Sequence, residues 1–293
     1  MPSNLEIKIN NDYRPVALTA IIMKCLERIV LSKVLETVKP HLDPLQFAYC
    51  AKRGVEDAVL TLLHFIQKHL DKRRCYVRVL MVDFSSAFNT IQPHLMMEKL
   101  DRLGVNANIT LWVCDFLTGR LQHVRVRNIV SDTLVINTGA PQGCVISPVL
   151  FTLYTNDCRS SSPDCDIDKY ADDTAILAFI LCDDETVYRA AIQDFANWCI
   201  ENYLDFNAVK TKELIFDFRK IHPPHEPIQV ANQLIEIVSS YKYLGNIIDD
   251  KLTFHENVLR IVGKCNQRLY FLRKLKQFKV DQNIMVLFYS SVY

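Results

Sequence analysis

Apolar positions Leu18, Ile22, Cys25, Ile29, Leu35 and Val38 recur at helical spacing and predict a helix over 15–38 that Pro40 ends. A second helix is predicted over 55–70, with Val55, Val59, Leu62, Ile66 and Leu70 along one face. The pattern then changes period. In "YVRVLMVDFS" Val77, Val79 and Met81 alternate, and Val82 and Phe84 flank Asp83, so a strand ends in an acid. Helices follow over 94–103 and 107–117, closed by Gly104 and Gly119. "HVRVRN" and "DTLVINTG" read as paired strands, and Ser147 is placed to cap a helix whose first residue is Pro148. "DKYADDTAILAFIL" reads as two short strands meeting at Ala171–Asp173. A helix over 188–203 carries Ile192, Phe195, Cys199 and Tyr203 on one face; short strands lie around "KTKELIFDF", "IQVANQLIEIV" and "YKYLGNII", and "HPPHEP" is a loop. Helices and strands mix without a βαβα rhythm, which selects α+β over a doubly wound sheet.

Composition narrows the class. With 293 residues, 49% of them hydrophobic, the chain can bury a sizeable core in two or three subdomains. Lys plus Arg (34) nearly cancels Asp plus Glu (33), so a basic footprint for nucleic acid must be local. One such footprint is residues 257–280, which hold seven Lys/Arg and no acid. Arg260, Lys264 and Arg268 recur there at i+4, opposite Val258, Val262, Cys265, Leu269 and Leu272, a face suited to a phosphate backbone. No run of about 18 apolar residues exists and "MPSNLEIKIN" has no signal-peptide core, so no membrane partner is expected. The ten cysteines form no C-x-x-C pair. Cys25, Cys199 and Cys265 fall in apolar patterns and are expected as buried free thiols, which points to an intracellular, reducing setting, cytoplasm or nucleus.

Candidate chemistry centres on the carboxylates. Asp172 and Asp173 sit side by side among apolar residues, and Asp83 also ends an apolar strand. Unpaired buried carboxylates cost several kcal/mol each. Divalent cations offset that cost, and three acids on adjacent strand ends can hold two metals about 4 Å apart, the arrangement of phosphoryl or nucleotidyl transfer. Five residues beyond Asp83 stands Phe88, near where a metal-bound nucleotide would lie, and "GAPQG" (139–143) is a stiff turn presenting Gln142 ahead of a helix.

These blocks, in order, resemble the reverse transcriptases of non-LTR (LINE-type) retrotransposons. The resemblance rests on "NDYRPVALTAIIMKCLERIV", "DPLQFAYCAKRGVEDAV", "MVDFSSAFNTIQPHLMMEKL", "INTGAPQGCVISPVLFTLYTNDC", "KYADDTAIL", "NWCIENYLDFNAVKTKELIFDFR" and "YKYLGNIIDDKLTF", from about Asn11 to the C-terminus. It implies a right-hand polymerase fold, with an antiparallel palm sheet packed on helices. Fingers are expected over 1–75, palm over 76–93, a fingers insertion over 94–140, palm over 141–250 and a partial thumb over 251–293. It also implies RNA-directed DNA polymerase activity with an RNA template, a DNA primer, dNTPs and Mg²⁺ (or Mn²⁺). Asp83, Asp172 and Asp173 match the catalytic metal ligands, assisted by the Phe84 main-chain carbonyl. Phe88 matches the gate against a ribose 2′-OH, Gln142 a residue near nucleotide and template, and Lys210 the lysine that approaches the pyrophosphate. Arg14 and Arg53 lie in fingers blocks that meet template or triphosphate, and Tyr243, Leu244 and Gly245 resemble the primer-grip turn.

Some positions depart from the family. Cys50 stands where relatives carry an arginine expected to hold the triphosphate, and a thiol cannot replace a bidentate cation. Asn89 stands where many relatives have Asp. The chain opens almost at "NDYRPVAL" and stops at "LFYSSVY" within the expected thumb, which suggests a truncated copy of an element. Polymerase is therefore the leading reading; a non-catalytic relic that folds and binds RNA–DNA hybrid is the alternative.

Overall fold

The computed structural model describes residues 16–72, 74–230 and 232–292. In chain order come α1 (Ile21–Val38), α2 (Val55–Leu70), β1 (Cys75–Val82), α3 (Pro93–Arg102), α4 (Ala107–Leu117), β2 (Arg120–Gln122), β3 (Arg125–Val126), β4 (Ile129–Val130) and β5 (Leu134–Ile136). They are followed by α5 (Ser147–Tyr154), β6 (Cys165–Tyr170), β7 (Asp173–Leu181), α6 (Thr186–Glu201), β8 (Lys212–Phe216), β9 (Gln229–Val230), β10 (Gln233–Leu234) and β11 (Glu236–Ile237). The chain divides into two compact units between Ile237 and Val238. The second unit holds β12 (Ser240–Tyr243), β13 (Asn246–Asp249), α7 (His255–Gln277) and α8 (Gln282–Val292). The hairpin β12–β13 lies in this second unit with the terminal helices.

The first unit is built on a sheet of order β11-β8-β1-β7-β6, antiparallel except for the β11–β8 pair. All eight residues of β1 are buried, which is why its sequence is an almost unbroken apolar run. Strand alternation divides them between two layers. Tyr76, Leu80 and Val82 join the core formed with Phe151 and Tyr154 of α5 and Tyr188, Ile192 and Phe195 of α6. The other face is covered by α2, whose buried residues are Ala58, Val59, Leu62, Ile66 and His69; the His69 ring stacks on Phe179, the register partner of Val77.

One charged residue in β1 breaks the apolar run. Arg78 is fully buried and forks onto Glu213, with Nε to Oε1 and Nη2 to Oε2 both at 2.8 Å. The pair is satisfied further by Arg78 Nη1 to Glu185 at 2.5 Å and by the Tyr188 hydroxyl donating to Glu213 at 2.6 Å. A buried pair persists only with such full hydrogen bonding, and this one staples β1, β8 and α6 together.

Several expectations are corrected. The first helix begins at Ile21, because Ala20 before it is extended and the Ala17 N–H donates to the Gln142 carbonyl at 2.6 Å. The stripe of Leu18, Ile22, Cys25 and Ile29 is exposed, and α1 buries Glu27, Val34 and Val38 instead. Cys25 is therefore an exposed thiol; Cys199 is buried and Cys265 half-buried. "HVRVRN" does not pair with "DTLVINTG". Two hairpins nest, with β3 pairing β4 across a two-residue turn that starts at left-handed Arg127, and β2 pairing β5 outside it. Ser147 is not the cap of α5 but its first residue, and its hydroxyl is buried without a partner. The capping acceptor is Glu27 Oε2, which receives the N–H groups of Val145 and Ile146 at 2.5 and 3.2 Å, a carboxylate at a helix N-terminus.

Candidate active site

The chemistry expected of the sequence gathers at one end of the central sheet. In the β1–β7 ladder Val82 lies opposite Thr174, so Asp83 and Asp173 occupy the same end of neighbouring strands. Tyr170 pairs with Asp173 to close a two-residue hairpin of Ala171 and Asp172. Ala171 takes the left-handed conformation at φ +58° that such a turn requires. Both neighbouring acids are exposed and Asp83 is half-buried. The expectation of buried carboxylates is corrected on this point: Asp83 follows the last residue of β1, Asp172 lies in the turn and Asp173 is the exposed first residue of β7.

Among the described residues only Asp217, His222 and His225 bring three ligand atoms within 4.8 Å. The set at the sheet end is all oxygen, the donor type that suits hard divalent cations. Phe84 adds to it. It bridges Phe206, and the bonds of that bridge run from Asn207 N–H to the Asp83 carbonyl at 2.9 Å and from Ser85 N–H to the Asp205 carbonyl at 2.8 Å. Alternation along the chain therefore turns the Phe84 carbonyl toward the β7 side.

Asp83 is held from behind, its N–H donating to Thr211 Oγ1 at 3.1 Å. Lys210, exposed, places Nζ 3.9 Å from Asp83 Oδ2, a cation facing that carboxylate. Phe88 follows left-handed Ser86 on a single 3₁₀ turn and rests against Phe151, ring centroids 4.9 Å apart, at the margin of the core. The "GAPQG" turn docks on that backbone through Ala140 N–H to the Phe88 carbonyl and Gly139 N–H to the Ile91 carbonyl, both 2.7 Å. Gly139 is required there, since it sits at φ +73° and a Cβ would lie 2.7 Å from Asn89 Cα. Gln142 is half-buried in the same turn.

The loop before α2 braces the hairpin. Residues 45–47 add to the edge of β6, with Phe47 N–H donating to the Lys169 carbonyl and Lys169 N–H to the Leu45 carbonyl, both 2.9 Å. From this edge Gln46, 1% exposed, uses Oε1 to accept the N–H groups of Ala48 at 3.0 Å and Ala171 at 3.3 Å. Below it Lys169 Nζ is buried among Asp43 Oδ2 at 2.7 Å and the carbonyls of Thr155 and Cys158 at 2.9 and 2.6 Å. Arg53 commits Nη1 to the carbonyls of Pro44 and Gln46 and lies over the Phe47 ring, so one edge of its guanidinium clamps this loop. Cys50 is half-buried beside it, and burial raises its thiol above the usual range against the opposing charge of Arg53. Burial, followed by the charge of Asp172, raises the neighbouring Tyr49 phenol. Gln46, Thr211 and Glu27 were missed as site residues; Gln46 alone stands as a lone polar group among apolar neighbours, while Thr211 and Glu27 have charged residues beside them. Arg14 lies outside the described residues.

In the second unit Tyr243, Leu244 and Gly245 form the β12–β13 turn, with Leu244 and Gly245 both left-handed at φ +46° and +87°. Arg260 is turned inward, donating from Nη2 to the Gly245 carbonyl and to Asn257 Oδ1. The expected basic face is therefore corrected at Arg260, which supports the turn. Lys264 is exposed and Arg268 half-buried, while Val258, Val262 and Leu269 on the other side are exposed as well.

A polymerase-type palm is what a sheet of this order with acids at the end of β1 and in the β6–β7 turn defines. The profile of the family described as reverse transcriptase (RNA-dependent DNA polymerase) matches residues 6–248, and the chain belongs to that family. Its relatives there are polymerases of non-LTR retrotransposons. It is 29% identical over 275 residues to the probable RNA-directed DNA polymerase from transposon BS of Drosophila melanogaster, covering 90% of this chain and 30% of that one. It is 28% identical over 266 residues to the RNA-directed DNA polymerase from mobile element jockey of the same fly, covering 86% and 28%. The chain thus spans about 30% of the length of the curated relatives it matches. Among solved structures, apo telomerase from Candida tropicalis truncated from its C-terminal domain superposes with a TM-score of 0.50 at 12% identity, covering 80% of this chain and 44% of that one. The fold is the right-hand polymerase fold. A short second profile, the N-terminal region of alkylated DNA repair protein alkB homolog 8, matches residues 256–292.

Proposed function

We propose that this domain carries out RNA-templated DNA synthesis, attack of a DNA primer 3′-OH on the α-phosphate of a dNTP with release of pyrophosphate. The observation that carries the reading is the placement of Asp83 on β1 beside Asp172 and Asp173 in the adjoining hairpin, within a chain of this family. Reverse transcriptases use divalent metal ions; here Mg²⁺, or Mn²⁺, would be held by Asp83, Asp172, Asp173 and the Phe84 carbonyl. When bound, such ions stabilise charge on the reacting phosphate and favour the alkoxide of the primer. The remaining work falls to the chain itself. Phe88 bounds the sugar site against a 2′-OH, Gln142 orients the nucleotide over the template, and Lys210 presents a protonated amine to the departing pyrophosphate. Tyr243–Gly245 would hold the primer end, with Lys264 and Arg268 on the backbone.

In this reading residues 1–75 and 94–140 act as fingers, 76–93 and 141–250 as palm and 251–293 as part of a thumb. Ten free cysteines support a reducing compartment, cytoplasm or nucleus. The second reading, a hybrid-binding domain without catalysis, is favoured by Cys50, a thiol at the position where the family resemblance implies arginine.

Primer extension on poly(rA)/oligo(dT) with Mg²⁺ or Mn²⁺ separates the two. Incorporation that Asp172→Asn abolishes while hybrid binding persists supports the polymerase. Binding without incorporation in the parent leaves the second reading, and loss of binding in the variant makes Asp172 structural.

A further inference from the structure

At the opposite end of β1 from Asp83 a second group of ligating side chains converges, and nothing in polymerase chemistry uses it. β8 runs antiparallel to β1 with Phe216 opposite Val77, so Asp217 emerges beside the Cys75 end of the strand. Seven residues of strand separate that level from Asp83, on the order of 20–25 Å. The loop after Asp217 contains "HPPHEP", and it folds back to set His222 and His225 on the same carboxylate oxygen. His225 Nε2 lies 3.0 Å and His222 Nδ1 3.7 Å from Asp217 Oδ2, and the three ligand atoms all fall within 4.8 Å. The two imidazoles stack with centroids 5.1 Å apart and planes 16° off parallel. Two prolines between the histidines fix φ at both intervening positions, so this pairing is built into the loop at low entropic cost.

We propose that Asp217, His222 and His225 form a transition-metal site of the Zn²⁺ class, which clips the 217–227 loop to the end of the sheet. Two neutral imidazoles and one carboxylate are the ligand set that such borderline ions select over Mg²⁺ or Ca²⁺. Tetrahedral bonds of about 2.0–2.1 Å put neighbouring ligand atoms roughly 3.3 Å apart, a value that the two nitrogen–oxygen separations bracket. The nitrogen–nitrogen pair has to draw in, and His222 Nδ1 has to exchange its 3.0 Å bond to the Pro223 carbonyl for the ion. The carboxylate is already oriented from behind. Arg219 donates to both Asp217 oxygens, from Nε at 2.9 and 3.1 Å and from Nη2 at 2.7 Å, as an outer-shell partner does for a ligating carboxylate.

Arg219 also pairs with Asp183 at 2.8 Å. Asp217 and Asp183 against Arg219 leave one net negative charge at the cluster while both histidines are neutral, so a dication is attracted despite the guanidinium. The Asp217 side chain is 4% exposed, His225 13% and His222 36%, so the fourth position opens to solvent on the His222 side. In the free state neutral His225 donates its Nε2–H to Asp217; offering Nε2 to an ion moves that proton to Nδ1, the tautomer that frees the Nε2 lone pair. The loop this would fix is already tied to the sheet, by Arg78 Nη2 to the Glu226 carbonyl at 2.8 Å and by Tyr76 against His225, ring centroids 4.8 Å apart.

The test is titration of the chelator-treated full chain with Zn²⁺ by calorimetry and with Co²⁺ by visible absorption, beside His222→Ala, His225→Ala and a Cys25→Ser/Cys182→Ser control. One ion per chain is expected, with weak nitrogen–oxygen Co²⁺ bands and no thiolate charge-transfer band. Loss of either histidine should weaken binding by about tenfold or more, since even outer-shell partners contribute that much. Zn²⁺ should raise the melting temperature of the parent and not of His222→Ala, an exposed-loop variant whose metal-free melt should match the parent. Zn²⁺ affinity unchanged in both histidine variants overturns the site, as does a thiolate spectrum lost in the cysteine control or no binding at micromolar Zn²⁺.

Discussion

Gln46 offers a direct way to test how the hairpin carrying Asp172 is held, because one carboxamide oxygen serves two buried donors, Ala48 N–H and Ala171 N–H. Gln46→Met keeps the length and most of the volume of the side chain and removes the acceptor. An unpaired buried N–H costs about 1–3 kcal/mol, and two donors are affected. Two terms reduce the sum. The Ala171 bond is long at 3.3 Å, and Gln46 Nε2 is itself buried without a partner, so its removal relieves on the order of 1 kcal/mol. The expected net loss is about 2–3 kcal/mol, concentrated at the turn that carries Asp172. Urea unfolding would read the global part. Hydrogen exchange of the segment containing Ala171 would read the local part as an acceleration of roughly 30–150-fold. Where the parent extends primers, kcat should fall further than KM rises, since a loosened hairpin misplaces reacting groups rather than the bound nucleotide. A stability change under about 0.5 kcal/mol with unaltered exchange at Ala171 would refute the reasoning.

Other outcomes follow from the same geometry. Cys50→Arg should lower the KM for dNTP by on the order of tenfold with little change in kcat, because Arg53 is held by the Pro44 and Gln46 carbonyls and does not replace it; identical steady-state constants would remove position 50 from the triphosphate site. Phe88→Val should raise rNTP incorporation relative to dNTP as the ring wall recedes, and unchanged discrimination would reject the gate. Asp168, fully buried with neither carboxylate oxygen partnered, is pushed up to about 8 by burial, then by the charges of Asp166 and Asp43, against Lys169. Its folded state therefore holds a proton that the unfolded chain releases near pH 4, so stability should fall by up to about 1.4 kcal/mol per unit as pH rises from about 4 to about 8. Asp168→Asn should flatten that slope and be the more stable protein at pH 8; parallel pH profiles of the two in urea melts would contradict the assignment.

The sequence alone determined whatever depends on neighbours within a turn or two. The helical stripe of α2, the apolar run of β1, the glycine stops after α3 and α4 and the meeting of β6 and β7 at Ala171–Asp173 are local, and all are where the sequence pattern puts them. The order of motif blocks carried the palm carboxylates in the same way, since each sits at the end of an element legible by itself. What only the tertiary structure decided is which distant group satisfies each buried polar atom. Glu27 caps a helix 118 residues downstream, Gln46 braces a turn 125 residues away, and Arg260 turns inward to the Gly245 carbonyl rather than outward with Lys264. The start of α1 was decided likewise by a bond from Ala17 to Gln142. The histidine cluster belongs to the same class, for "HPPHEP" reads as a loop until the ends of β1 and β8 bring Asp217 beneath it. Periodicity records which face of an element is buried. It carries no record of the partner across the core, because hydrogen bonds and ion pairs are directional and form only after burial has brought their two ends together.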